Sequence, residues 1–141
     1  DRPDRRFQSS AQPHQAMLIE IPVSLGELVD KITILSIKAQ CFEGQALVNV
    51  QTELNLLEQV LENSGVRLNP DEQNALQAIN QELWQIEEKL RHCEAEERFG
   101  DAFVALARAV YRCNDERAAL KRAINLRYGS QLVEEKSYRS L

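Results

Sequence analysis

The sequence has few of the residues that break helices or build disulfide and metal-bound frameworks. Its 141 residues include five glycines, four prolines, three cysteines and two histidines. An odd number of cysteines without a Cys-x-x-Cys spacing argues against a disulfide framework and against a zinc site. We therefore expect reduced thiols in a cytoplasmic protein, with no metal and no other cofactor.

Several classes of function are excluded by further absences. No apolar run approaches the roughly 20 residues of a membrane span, and no secretion signal is present. The net charge of −5 argues against a nucleic-acid binder. Phosphate-binding glycine loops and a Gly-x-Ser-x-Gly motif are missing, and two histidines do not supply an acid–histidine–nucleophile set. These absences favour a protein without catalysis of its own.

Helix-forming residues dominate what is present, and the pattern predicts an all-α four-helix bundle. Residues 1–16 are polar and aperiodic and are predicted to form a flexible tail or linker, whereas residues 17–141 form a single helical domain. The domain begins with a short extended segment, after which Ser24 and Glu27 have the spacing of a capping box. The segment after Gly129 is predicted to be extended, and its LVEEK run could pair with LIEI near the start.

Four helices are predicted, with boundaries at glycines and caps. The first runs from Ser24 to Gly44, the second from Gly44 to Gly65, the third from Asn69, and the fourth from Gly100 to Gly129. The second and third carry leucines and isoleucines in three-four steps, which predicts a coiled-coil-like hairpin between them. The first helix is apolar on two sides, as expected of a central helix or of a homodimer interface.

Arg117 interrupts the apolar seam of the fourth helix. Apolar residues precede and follow it at three-four spacing: Phe103, Leu106, Val110, Cys113, Leu120 and Ile124. A guanidinium keeps its proton and is costly to bury alone, so an acidic side chain, a bound anion or water must compensate it. Asp30, a polar break in the first helix, is the expected internal partner.

A candidate anion site surrounds Arg117, because Asn114 and Lys121 project from the same helical face. Arginine and lysine there could clamp a carboxylate or phosphate. The segment from Glu134 to Tyr138 could fold back over such a pocket as a lid. The predicted ligand-binding residues are Asn114, Arg117, Lys121, Asp30, Lys31 and Tyr138. In the alternative interpretation Arg117 pairs internally, Lys31 and Lys121 lie along the surface, and the tail is solvated.

Three segments occur together in a fixed order: PVSLGELVDKITIL at residues 22–35, ARAVYRCNDERAALKRAIN at 107–125 and VEEKSY at 133–138. Through them the chain resembles a bacterial family of unknown function. The resemblance covers residues 17 to about 138 and implies no activity. A second, weaker similarity is to the all-helical chorismate mutases, whose pockets hold a dicarboxylate with arginine and lysine from helices.

Three functional hypotheses follow. The first is a non-catalytic binding or assembly module that holds an anionic small molecule or an acidic partner segment. The second is a small enzyme of chorismate-mutase-like type, with Arg117 and Lys121 as clamps and Asp30 or a tail carboxylate as acid or base. The third is a structural dimerisation domain without a ligand.

Overall fold

A computed structural model describes residues 17–137, and the fold is all-α as predicted. The helices are α1 (Leu25–Cys41), α2 (Gly44–Asn63), α3 (Pro70–Ala95) and α4 (Asp101–Arg127). No strand occurs within the described range, so the predicted pairing of LVEEK with LIEI does not form there. The predicted flexible tail at residues 1–16 and the site residue Tyr138 lie outside the described residues.

The helix starts follow the capping residues read from the sequence. The Ser24 hydroxyl accepts a hydrogen bond from the Glu27 backbone N–H at 3.1 Å, and Asn69 accepts from Asp71 at 3.0 Å. The capping box is only half formed, however, because the Glu27 carboxylate binds Lys121 of α4. The Glu27 carboxylate pairs with the Lys121 ammonium group, a stronger interaction than the hydrogen bond to the Ser24 backbone N–H that would complete the capping box.

The first helix is central, as its two apolar sides predicted, because α1 packs against α2, α3 and α4. A core cluster joins α1, α3 and α4 through Val29, Leu76, Ile79, Leu83, Ile86, Cys113 and Ile124. On the second apolar side of α1, Ile37 is buried and Ile34 is half-buried. The apolar surface that suggested a dimer interface on α1 is thus largely covered within the chain.

The predicted hairpin between the second and third helices is wrong. Among the described residues, no Cα atom of α2 comes within 8 Å of one in α3 or α4, and α2 packs along α1 instead. The other two helices, α3 and α4, pack against each other. The leucine seam of α2 predicted a helical partner correctly, but α1 offers two apolar sides and so receives both α2 and the α3–α4 pair.

Two glycines allow the start of α1 and the segment after α4 to lie close to α4. A Cβ on Gly26 would lie 2.5 Å from the Lys121 carbonyl oxygen, so only glycine lets α1 cross α4 this closely. At the end of α4, Gly129 has φ of +68° and the Ser130 N–H donates to the Asn125 carbonyl at 2.8 Å. This Schellman-type turn directs the following residues back along the helix.

Candidate functional site

Arg117 is compensated inside the protein by Asp30. Its Nε donates to Asp30 Oδ1 at 2.8 Å and its Nη2 donates to Oδ2 at 2.5 Å, a two-point pairing of guanidinium and carboxylate. The Asp30 side chain is 1% exposed and that of Arg117 is 28% exposed. The expected pairing is therefore confirmed, and it joins the central helix α1 to α4.

Two further side chains complete this cluster, which we call the Arg117 network (Asp30, Thr33, Asn80 and Arg117). Asn80 Nδ2 donates to Asp30 Oδ1 and to Thr33 Oγ1, each at 2.9 Å. The Thr33 hydroxyl donates to the Asp30 backbone carbonyl at 2.7 Å. Asn80 was not among the predicted residues, although an amide four residues after Leu76, on the core side of α3, was the signal that marked it.

The network keeps both charges in place. Burial alone would raise the pKa of Asp30, but hydrogen bonds from Arg117 and Asn80 and the positive charges of Arg117 and Lys121 hold it below its usual value. The hydrogen bond to Asp30 raises the pKa of Arg117 despite its partial burial. The Asp30 carboxylate is thus ionised, and both of its oxygens accept hydrogen bonds from protein side chains.

Two of the other predicted site residues, Lys31 and Lys121, pair with glutamates of the chain. Lys121 Nζ lies 2.5 Å from Glu27 Oε2, and Lys31 Nζ lies 3.2 Å from Glu53 Oε2 on α2. Asn114 is half-buried on α4. The structure therefore places Asp30 and Arg117 in an internal network, Lys31 in a surface pair with α2, and Lys121 in a pair with α1.

The C-terminal segment folds back along α4. We call residues 130–137 the strap. Ser130 Oγ accepts from the Leu25 N–H at 3.1 Å, and Asn125 Oδ1 accepts from the Gly26 N–H at 2.6 Å. With the Ser24 cap, these contacts occupy the free N–H groups that open α1.

Glu134 fixes the strap to both helices. Its carboxylate accepts from the Ser24 hydroxyl and from Asn125 Nδ2, the latter at 3.1 Å. Burial alone would raise the pKa of Glu134, but the hydrogen bonds from Ser24, the backbone and Asn125, with the Lys121 charge, hold it below its usual value. The glutamate is therefore ionised where α1, α4 and the strap meet.

A cleft of about 450 Å³ lies between α4 and the strap. We call it the strap cleft, and its lining residues are Asp115, Ala118, Ala119, Lys121, Arg122, Glu134, Glu135 and Lys136. Arg122 Nη1 donates to Glu135 Oε1 at 2.7 Å, and Lys136 Nζ donates to Asp115 Oδ1 at 2.5 Å. The strap thus runs from Asn125 past Arg122 towards Asp115, antiparallel to α4.

The strap cleft is lined by three carboxylates, three basic side chains and two alanines. Lys121 was among the predicted site residues, and Glu134, Glu135 and Lys136 belong to the predicted lid, whereas Arg122 and Asn125 were not predicted. Arg122 follows Lys121 on α4, and nothing in the neighbouring sequence distinguishes it from a solvated arginine. Within residues 17–137, no group of three or more His, Cys, Asp and Glu side chains could hold a metal ion.

Comparison with known proteins identifies the family but no activity. Residues 17–141 match the family of unknown function DUF6165, and the chain belongs to it. No match was found among curated proteins or among solved structures. In the described part of the chain, no helix is both long enough and apolar enough to cross a membrane.

Proposed function

We propose that this DUF6165 domain is a non-catalytic binding module whose strap cleft takes an acidic segment of a partner protein. The observation that carries the proposal is the strap itself. Two consecutive glutamates of a peptide segment, Glu134 and Glu135, bind Asn125 and Arg122 on one face of α4. The same face is suited to two carboxylates of a segment from another protein.

The basic groups of the cleft support this choice. Lys121 and Arg122 project from α4, and Lys136 faces them from the strap. Arg122 is 45% exposed and its partner Glu135 is 72% exposed. Because an exposed ion pair contributes at most about 1 kcal/mol, a partner carboxylate can replace Glu135 without a large cost in stability.

A peptide fits the site better than a compact anion. A phosphate or small dicarboxylate is best held by convergent donors, such as a helix N-terminus or a free guanidinium fork. The N–H groups that open α1 already bind Ser24, Asn125 and Ser130, and the Arg117 fork binds Asp30. The three cations of the cleft, Lys121, Arg122 and Lys136, each pair with a carboxylate of the chain. They are spread along α4 and the strap, so an extended acidic segment matches their arrangement better than a compact anion does.

The alternative functions have less support. The chorismate-mutase-like enzyme needs Arg117 and Lys121 directed at a dicarboxylate substrate, whereas these residues face Asp30 and Glu27. A purely structural dimerisation domain gives no role to the strap cleft. A cytoplasmic location remains part of the proposal and agrees with the free thiols of Cys41, Cys93 and Cys113.

The proposal is tested with a fluorescent peptide of the strap sequence, SQLVEEKS, titrated against the purified domain at low ionic strength. Glu135→Gln weakens the internal competitor for Arg122, so this variant should bind the peptide about two- to fivefold more tightly than the unmodified domain. Arg122→Gln should weaken binding by a similar factor. Added salt should reduce the affinity in all cases, because the contacts are exposed charges.

Two controls decide between charge recognition and non-specific binding. Arg112→Gln changes an exposed arginine of α4 outside the cleft and should leave the affinity unchanged. The peptide SQLVQQKS, which lacks both carboxylates, should not bind. Equal binding of the two peptides, or no effect of Arg122→Gln, contradicts the proposal. Displacement of the acidic peptide by a small dicarboxylate at equal charge concentration would instead indicate an anionic metabolite as the ligand.

A further inference from the structure

The side of α2 that faces away from α1 carries no charged residue. Its exposed apolar residues are Val48, Leu56 and Val60, whose exposed fractions are 53%, 41% and 44%. Together with Thr52 they follow one another at intervals of four residues, which places them in a single ridge along the helix. Such a ridge can interlock with the ridge of another helix.

The residues beside this ridge are uncharged as well. We define the α2 outer face by its exposed residues Gln45, Val48, Asn49, Thr52, Asn55, Leu56, Gln59, Val60 and Asn63. The charged residues of α2 are Glu53, Glu58 and Glu62, and helical geometry places them to the sides of this face. Outer faces of helices in soluble proteins normally carry charges, whereas the centres of protein interfaces are depleted of them.

The absence of charge also indicates which partner fits. In a two-fold interface each residue near the axis meets its own copy, so a face with charges of one sign repels itself. The chain has a net charge of −5, and two copies repel each other over most of their surfaces. The α2 outer face lacks this repulsion. It also lacks the charges that would attract a different acidic or basic partner, because such partners are selected by complementary charges.

We propose that the α2 outer face is the interface between two copies of this chain, packed α2 against α2 across a two-fold axis. The ridge of Val48, Thr52, Leu56 and Val60 on one copy lies in the groove beside the same ridge on the other. Ridges of residues four apart interdigitate at a crossing angle of about −50°. The amide side chains of the face, such as the Gln45–Asn49 and Gln59–Asn63 pairs, supply hydrogen bonds at the rim. The surface is separate from the strap cleft, so the two proposals are independent.

Sedimentation velocity or native mass spectrometry over a range of protein concentrations tests this interface. The unmodified domain should be a dimer that dissociates on dilution. Leu56→Lys and Val60→Lys each place a buried like charge in the interface and should give monomers at concentrations where the unmodified domain is dimeric. Both side chains are exposed in a single chain, so the far-ultraviolet circular dichroism and the melting behaviour of the variants should remain those of a folded helical protein.

A matched control is Val104→Lys, which alters an equally exposed valine (51%) on α4 and should leave the dimer intact. The proposal is overturned if the unmodified domain stays monomeric at all concentrations, if both α2 variants remain dimeric, or if Val104→Lys dissociates the dimer as effectively as they do. Binding of the SQLVEEKS peptide should be the same in monomeric Leu56→Lys as in the dimer.

Discussion

Two clusters in this molecule use the same chemistry, carboxylates paired with basic side chains, at different depths. In the Arg117 network, Asp30 is almost fully buried and each of its side-chain oxygens has a partner. In the strap cleft, Arg122 and Glu135 pair at the surface. A buried pair is strongly destabilised when one member is removed, whereas an exposed pair changes partners readily. The charge in the apolar seam of α4 therefore holds helices together, whereas the exposed pair beside it is the one that we propose exchanges with a partner segment.

The largest expected effect is that of Arg117→Leu, which should cost about 3–5 kcal/mol of unfolding free energy. The substitution restores the apolar seam of α4 but leaves the Asp30 carboxylate buried, with Asn80 and Thr33 as its neighbours. Urea denaturation of the purified domain measures the change. If the Arg117→Leu variant were instead more stable, the pair would not be the structural element that we infer.

The double variant Asp30→Asn, Arg117→Leu is the control for this experiment. It removes both charges and keeps a side chain that can hydrogen-bond Asn80, so it should recover a large part of the stability lost in Arg117→Leu. A double variant as unstable as the single one would mean that the arginine contributes through packing rather than through its charge.

Much of the fold follows from the sequence, because helix boundaries depend on local chemistry. Ser24, Asn69 and Gly129 act within a turn of their own positions, and each marks a helix end as expected. The partner of α2 was predicted wrongly, because a leucine seam specifies that a helix packs but not against which neighbour. The close crossing at Gly26 could not be predicted either, since a glycine within a helix does not indicate which backbone group of another helix will approach it.

The candidate site divides along the same line. The pairing of Asp30 with Arg117 was predictable, because a guanidinium in an apolar seam needs an acid and few acids interrupt apolar faces. The pairing of Arg122 was not predictable, because this exposed arginine meets Glu135 only when the strap returns along α4. A site formed by residues distant in sequence thus depends on the path of the chain after Gly129.

Acidification should lower stability through both clusters. The pKa values of Asp30 and Glu134 are lowered in the folded chain, so below about pH 5 the unfolded chain binds more protons than the folded one. The stabilisation is complete above the unfolded values near pH 4 and is lost as the pH falls through the folded values. Unfolding free energies measured by urea between about pH 7 and pH 3 should therefore decrease more steeply for the unmodified domain than for Asp30→Asn or Glu134→Gln. Parallel curves for all three proteins would refute the assigned pKa directions.

The smallest effect is expected for the exposed pair, and it is the sharpest test of the comparison. Arg122→Gln and Glu135→Gln should each change the unfolding free energy by less than about 1 kcal/mol, because water solvates either side chain when its partner is removed. A double-mutant cycle between them should give a coupling of about 0.2–1 kcal/mol that disappears near 1 M salt. The coupling between Asp30 and Arg117 should persist at the same salt concentration, since solvent ions reach a buried pair poorly. A coupling above about 2 kcal/mol at Arg122 and Glu135, insensitive to salt, would make the strap a fixed part of the fold and would remove the basis for its exchange with a partner segment.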